Sequence, residues 1–278
     1  MRRVSPKRVG GVVLTLFVLG AFIALYAPLV LVVINAFNKN VLLTSWAGFT
    51  WEWVKQAIDS GRVRSDFLTS AEVAIASSVL ALAIAIPAGL WARAASPRGR
   101  QLLDATTYMR IVLPEIVSAL GLLILFSRLH IALGIVTVII GHVVFNSAYA
   151  IVIIQARLAT MTTALEEVAA DLGARPWRVF WRVTFPFLAP ALVVAGLLAF
   201  AFSFDDVITS TFLAGSGTET LPMLIFGLAR FRVDPEVNAI GVGLMVITLG
   251  CLGFTLLVVQ GRVTGSLILG SARSGGDA

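Results

Sequence analysis

The chain has 278 residues, of which 58% are hydrophobic and 13% charged, against roughly 25% charged in soluble domains. This excludes an ordinary soluble domain, and the net charge of +6 suits a polytopic membrane protein that retains Lys and Arg in its cytoplasmic loops, with no nucleic acid as partner. One cysteine, Cys251, inside an apolar run, excludes an intrachain disulfide and a Cys-based metal site.

In chain order, stretches poor in Asp, Glu, Lys and Arg predict six membrane-spanning helices. Residues 9–38 are uncharged and long enough to cross a hydrocarbon core of about 30 Å. The flank "MRRVSPKR" resembles a signal peptide, but the apolar run is too long and no small-x-small site follows, so it reads as a retained anchor. The next loop carries Trp46, Trp51 and Trp53, either as rings at headgroup level or as a docking surface. Further spans are predicted over residues 73–92, 111–127 (interrupted by Glu115), 129–156, 183–204 and 237–261. With the amino terminus inside, fourteen of the 21 Lys and Arg residues fall in cytoplasmic segments, which predicts both termini in the cytoplasm. The Gly- and Ser-rich end, from about residue 265 to 278, reads as a flexible tail. No internal repeat is visible, so residues 1–278 read as one domain.

Energy-coupling and hydrolytic motifs are missing. Lys7, Lys39 and Lys55 are followed by Arg8, Asn40 and Gln56, so no Walker loop exists and the chain is not expected to hydrolyse ATP by that route. His130 and His142 stand twelve residues apart in apolar surroundings. They form no zinc helix, and read as hydrogen-bonded packing residues. "AGSGT" lacks the spacing of a nucleophile elbow.

The segment "EEVAADLGARPWRVFWRVTFP" (166–186) interrupts the apolar pattern. Thr163 with Glu166 fits a capping box, and Glu166 and Glu167 suit the first turn of a helix. Gly173 fits a left-handed helix end, and Pro176 the first turn of a second short helix with Arg178 and Arg182 on one face. A helix, a glycine corner and a second helix are predicted within a cytoplasmic segment of about 157–186. An amphipathic loop lying on the lipid surface is the alternative reading.

This segment resembles the E-A-A-x(3)-G-x(9)-I-x-L-P loop of ATP-binding-cassette (ABC) importer permeases, matched at Glu167, Ala169, Gly173 and Pro186. Val168, Val183 and Phe185 depart from the pattern conservatively. "PEIVSALGLLILF", "FSFDDVITSTFLAG" and "LPMLIFGLARFRVDPEVNAI" extend the resemblance over nearly the whole chain, towards the second membrane subunit of spermidine/putrescine importers. The resemblance implies an all-α, six-span permease of the type I ABC importer fold in a bacterial inner membrane. It implies a homologous second permease subunit, a cytoplasmic ATPase dimer holding ATP and Mg, and an extracytoplasmic polyamine-binding protein, with no cofactor on this chain itself. Glu166, Glu167, Ala169, Gly173 and Pro186 would couple to the ATPase.

An ionisable residue in a span costs about 2.5 to 3.5 kcal/mol on insertion scales and is a functional candidate. Glu115, Asp205 and Asp206 qualify, beside Phe202 and Phe204. Carboxylates and aromatic faces along an apolar path complement an extended polyammonium ion. The two aspartates could instead mark a membrane boundary, and Glu115 an interface. Because adjacent helical residues point about 100° apart, one aspartate of the pair is expected to face the path. Import of another small solute such as ferric iron, or a non-transporting membrane scaffold, are the rival readings.

Overall fold

The computed structural model describes residues 6–231 and 234–274, with side chains over 14–231 and 234–257. Among them the secondary structure is helical. In order come α1 (Pro6–Ala36), α2 (Glu52–Asp59), α3 (Gly61–Ala94), α4 (Pro97–Val112), α5 (Glu115–Arg128), α6 (Ile135–Ala159), α7 (Ala164–Asp171) and α8 (Pro176–Val179). A π-helical stretch (Phe180–Thr184) leads into α9 (Phe185–Phe204), followed by α10 (Ile208–Leu213), α11 (Leu221–Phe231) and α12 (Pro235–Ser274).

Among the described residues, five helical runs are long and apolar enough to cross a membrane: Leu14–Ala36, Gly61–Ala94, Ile135–Ala159, Pro176–Phe204 and Pro235–Leu257. The third expected span, 111–127, is not one straight helix. It falls on α4 and α5, which are bent by 106° and make a sixth crossing only when taken together. Pro114 is the physical reason: the residue before a proline avoids helical ψ, and Leu113 accordingly sits at φ −63°, ψ 130°. Glu115 then opens a new helix. The flexible tail expected from about residue 265 is helical in backbone as far as Ser274, since adding residues to an existing helix is far easier than starting one. Residues 275–278 lie outside the described residues.

The chain divides into two compact units, one of residues up to Arg64 with Ile225–Met245, the other of Ser65–Leu224 with the chain from Val246. In the first, the loop after α1 is organised by Asn38. Its side-chain oxygen accepts from the amides of Asn40 and Ala47, its amide donates to Ser45 O, and Trp53 Nε1 donates to its carbonyl at 2.8 Å. Phe37, Phe49 and Trp51 pack as an aromatic trio beside it, while Trp46 and Trp51 stay exposed.

In the second unit α6 is central, packing on α4, α9 and α10. Small residues set the approach. Ala85, Ala150, Ile151, Ile154, Leu188 and Ala195 form one core cluster, and Val73, Phe126, Val138, Leu213 and Ala214 a second. In a membrane, where apolar side chains gain little by leaving lipid, such close packing is a main source of helix association. At Gly141 a Cβ would come within 2.6 Å of Leu213 Cδ1 and 2.7 Å of Thr209 Cγ2. The glycine thus lets α10 lie against α6, which fixes the polar groups described next.

Candidate functional site

The break at Pro114 places Glu115 in the first turn of α5, where the helix dipole favours a carboxylate. The end of α9 delivers Asp205 and Asp206 into the turn before α10. All three line one cleft of about 500 Å³, together with Phe145, Phe202 and apolar residues such as Leu249. That size lies within the usual range for small-ligand sites.

The two aspartates differ. Asp206 is largely engaged within the protein: its Oδ1 accepts from the Ser210 amide at 2.8 Å and its Oδ2 from the Thr209 amide at 3.4 Å. His142 Nε2 lies 3.3 Å from Oδ1, and the Asp206 side chain is only 8% exposed. The Asp205 side chain is exposed. Both therefore reach the cleft, where one alone was expected, but Asp205 is the one with a free face. Glu115 accepts from Thr209 Oγ1 at 2.9 Å and its carboxyl group meets that of Asp206.

Behind the carboxylates runs a buried polar chain. His142 bonds through Nδ1 to Ser203 Oγ, and its Nε2 is 3.2 Å from Ser210 Oγ; Ser77 Oγ donates to Ser203 Oγ at 2.9 Å. His142 is thus a hydrogen-bonded packing residue, as expected, and it also orients Asp206. Arg110, near the end of α4, is within electrostatic reach of Glu115 and holds its guanidinium 4.9 Å over the Phe145 ring. Its Nε and Nη1 are buried without a hydrogen bond.

Phe202 lines the cleft and packs against Phe145 and Tyr149. Phe204 does not. It is 1% exposed, stacked on Phe200 and edge-on to Phe67. Two positions apart on a helix is about 200° of rotation, so both rings cannot face one path. Sequence reading missed Arg110, Thr209, Ser210 and Phe145. The hydroxyl-rich "VITST" after the Asp pair and an Arg close before Pro114 were the available signals.

In the coupling segment, Gly173 has φ +79°, and its amide bonds to Ala170 O while that of Ala174 bonds to Ala169 O, the paired hydrogen bonds of a Schellman helix end. Pro176 opens α8 as expected, though α8 runs through the π-helical stretch into α9, not into a separate short helix. The expected capping box does not form, because Thr163 has helical φ and ψ and makes no side-chain cap bond. Glu166 is drawn elsewhere, to Arg93 and Thr184. Glu167, Gly173 and Pro186 are exposed and Ala169 half-buried; Leu172 and Trp177 are also exposed.

Residues 84–264 match the family of binding-protein-dependent transport system inner membrane components. The chain is 35% identical to the putrescine transport system permease protein PotI of Escherichia coli K12, over 87% of this chain and 88% of that one. It is 34% identical to the spermidine/putrescine transport system permease protein PotC of Haemophilus influenzae, over 88% and 95% respectively. Among solved structures, a bacterial ABC transporter involved in import of the acidic polysaccharide alginate aligns at TM-score 0.67 and 16% identity, covering 90% of this chain and 96% of that one. The MetNI methionine ABC transporter aligns at 0.59 and 14%, covering 73% and 98%. These last two establish a shared fold of ABC importer permeases. The chain belongs to the family of binding-protein-dependent transport system inner membrane components.

Proposed function

We propose that the chain is one of two homologous membrane subunits of an importer for polyamines such as spermidine or putrescine. The observation that carries this reading is the convergence of Glu115, Asp205 and Asp206 with Phe145 and Phe202 on one apolar cleft. A polyammonium chain entering the cleft exchanges water for carboxylate oxygens, and its methylenes meet apolar walls. Charge-assisted hydrogen bonds of this kind are about twice as strong as neutral ones. PotI and PotC are named for putrescine and spermidine transport, which favours this reading over ferric iron or a scaffold without transport.

In this reading ATP and Mg sit on a separate cytoplasmic ATPase dimer, an extracytoplasmic binding protein delivers the polyamine, and the chain itself performs no hydrolysis. Both termini and the segment containing Gly173 face the cytoplasm. The ATPase engages α7 and the Gly173 corner, with Glu167, Ala169 and Pro186 in the coupling segment. The test is ATP hydrolysis by the complete complex in proteoliposomes. Binding protein loaded with spermidine or putrescine is expected to stimulate hydrolysis; stimulation by a ferric complex or an anion, and none by polyamines, rejects the substrate assignment.

A further inference from the structure

We infer that Glu166 is the joint by which the coupling segment moves the membrane helices, a positioning residue turned inward to the permease and not a contact to the ATPase. The inference rests on the importer reading above and concerns a different link in it. Glu166 Oε2 lies 3.2 Å from Arg93 Nη1, and Oε1 accepts from the same nitrogen at 3.4 Å and from Thr184 Oγ1 at 2.7 Å. Arg93 belongs to the last turn of α3, and Thr184 closes the π-helical stretch directly before α9. One carboxylate therefore ties three elements together: α7, α3 and the foot of α9. Arg93 Nη1 also reaches Met161 Sδ, in the turn after α6, at 3.8 Å.

The carboxylate matters here because α7 has little else to hold it. It is eight residues long and has no fully buried side chain, and a helix that short is not stable alone. A push on its exposed face reaches the membrane helices through what is fixed to them. The Glu166 and Arg93 side chains are about a quarter exposed and Thr184 is buried, so the joint is largely shielded from water. Thr184 sits in π-helical geometry, a rare form that occurs mostly as single turns within α-helices and is frequent at functional sites. Glu167, about 100° round the same helix, is exposed and remains available to a partner. Adjacent glutamates thereby serve different faces of α7.

The test uses the complete complex in proteoliposomes. Glu166→Gln keeps the shape and removes the charge. The ATPase is expected to co-purify in the normal proportion, while polyamine taken up per ATP hydrolysed falls by roughly fivefold or more, the low end of typical coupling between sites. Arg93→Glu or Glu166→Arg alone should do the same, and the two together should restore most of the ratio. An unchanged ratio in Glu166→Gln, loss of the ATPase from that variant, or no recovery in the charge-swapped pair overturns the inference. A second readout does not depend on the substrate. Spin labels at Ala94→Cys and Leu172→Cys, in a Cys251→Ser background, should give one narrow distance with and without ATP, broadened by Glu166→Gln. A distance unaffected by Glu166→Gln also overturns the joint, whereas absence of polyamine uptake in the unmodified complex counts only against the substrate assignment.

Discussion

Both Asp206 oxygens are engaged by the amides of Thr209 and Ser210, and Oδ1 also by His142, whereas Asp205 next to it is exposed at the cleft. Asp205→Asn preserves shape and removes one charge from the surface offered to an ammonium group. The lost interaction is about 1.5 to 3 kcal/mol, so uptake at limiting substrate should fall roughly ten- to hundredfold with assembly unchanged. Initial rates at low polyamine concentration check this, and a rate near normal would make Asp205 a solvated helix-end residue. His142 belongs to the same machinery from behind. His142→Phe strands the buried Ser210 hydroxyl and leaves that of Ser203 with Ser77 alone, at about 1 to 3 kcal/mol for a group left unsatisfied. The expected result is a lower melting temperature of the purified complex, read by thermal unfolding; an unchanged one would show the polar chain to be unimportant for folding. The carboxylates were legible in sequence because so few charges interrupt the apolar runs. Their partners were not, since His142 meets Ser203 and Ser210 across 61 and 68 residues of chain, a separation that local pattern does not encode.

At the scale of elements, features carried by local chemistry were legible and those decided by packing were not. Gly173 at φ +79° and Pro176 at the start of α8 follow from turn preferences written in adjacent residues. The capping box at Thr163 also follows such a preference and fails, because Glu166 finds Arg93 and Thr184, partners from distant elements. The break between α4 and α5 was visible in Pro114, but the apolar run on both sides masked it. At Gly173 a Cβ would meet no other atom within 4 Å, so the effect of substitution is purely conformational. Gly173→Val forces a β-branched residue to positive φ, at a cost of about 1 to 2 kcal/mol. It should weaken ATPase docking while leaving membrane insertion intact. Normal ATPase co-purification with this variant would remove the glycine corner from the docking surface.

At the scale of the molecule, the five long apolar helices and one bent pair among the described residues make a multi-pass membrane protein. The distribution of Lys and Arg between loops sets its proposed orientation. Single cysteines at Gly173 and Trp51 in a Cys251→Ser background test that orientation, with an impermeant thiol reagent expected to label the Trp51 loop, and not the Gly173 corner, from outside intact cells. The reverse pattern would invert the topology and remove the coupling segment from the ATPase. A polyamine path through this subunit, driven by a separate ATPase, can be measured as uptake of labelled spermidine and putrescine into proteoliposomes. These carry the complete complex, with binding protein on one side and ATP on the other. Uptake of at least one polyamine is expected to require ATP and to be lost in the Asp205→Asn, Asp206→Asn double variant; ATP-driven uptake at an undiminished rate in that variant would rule out a path past these carboxylates.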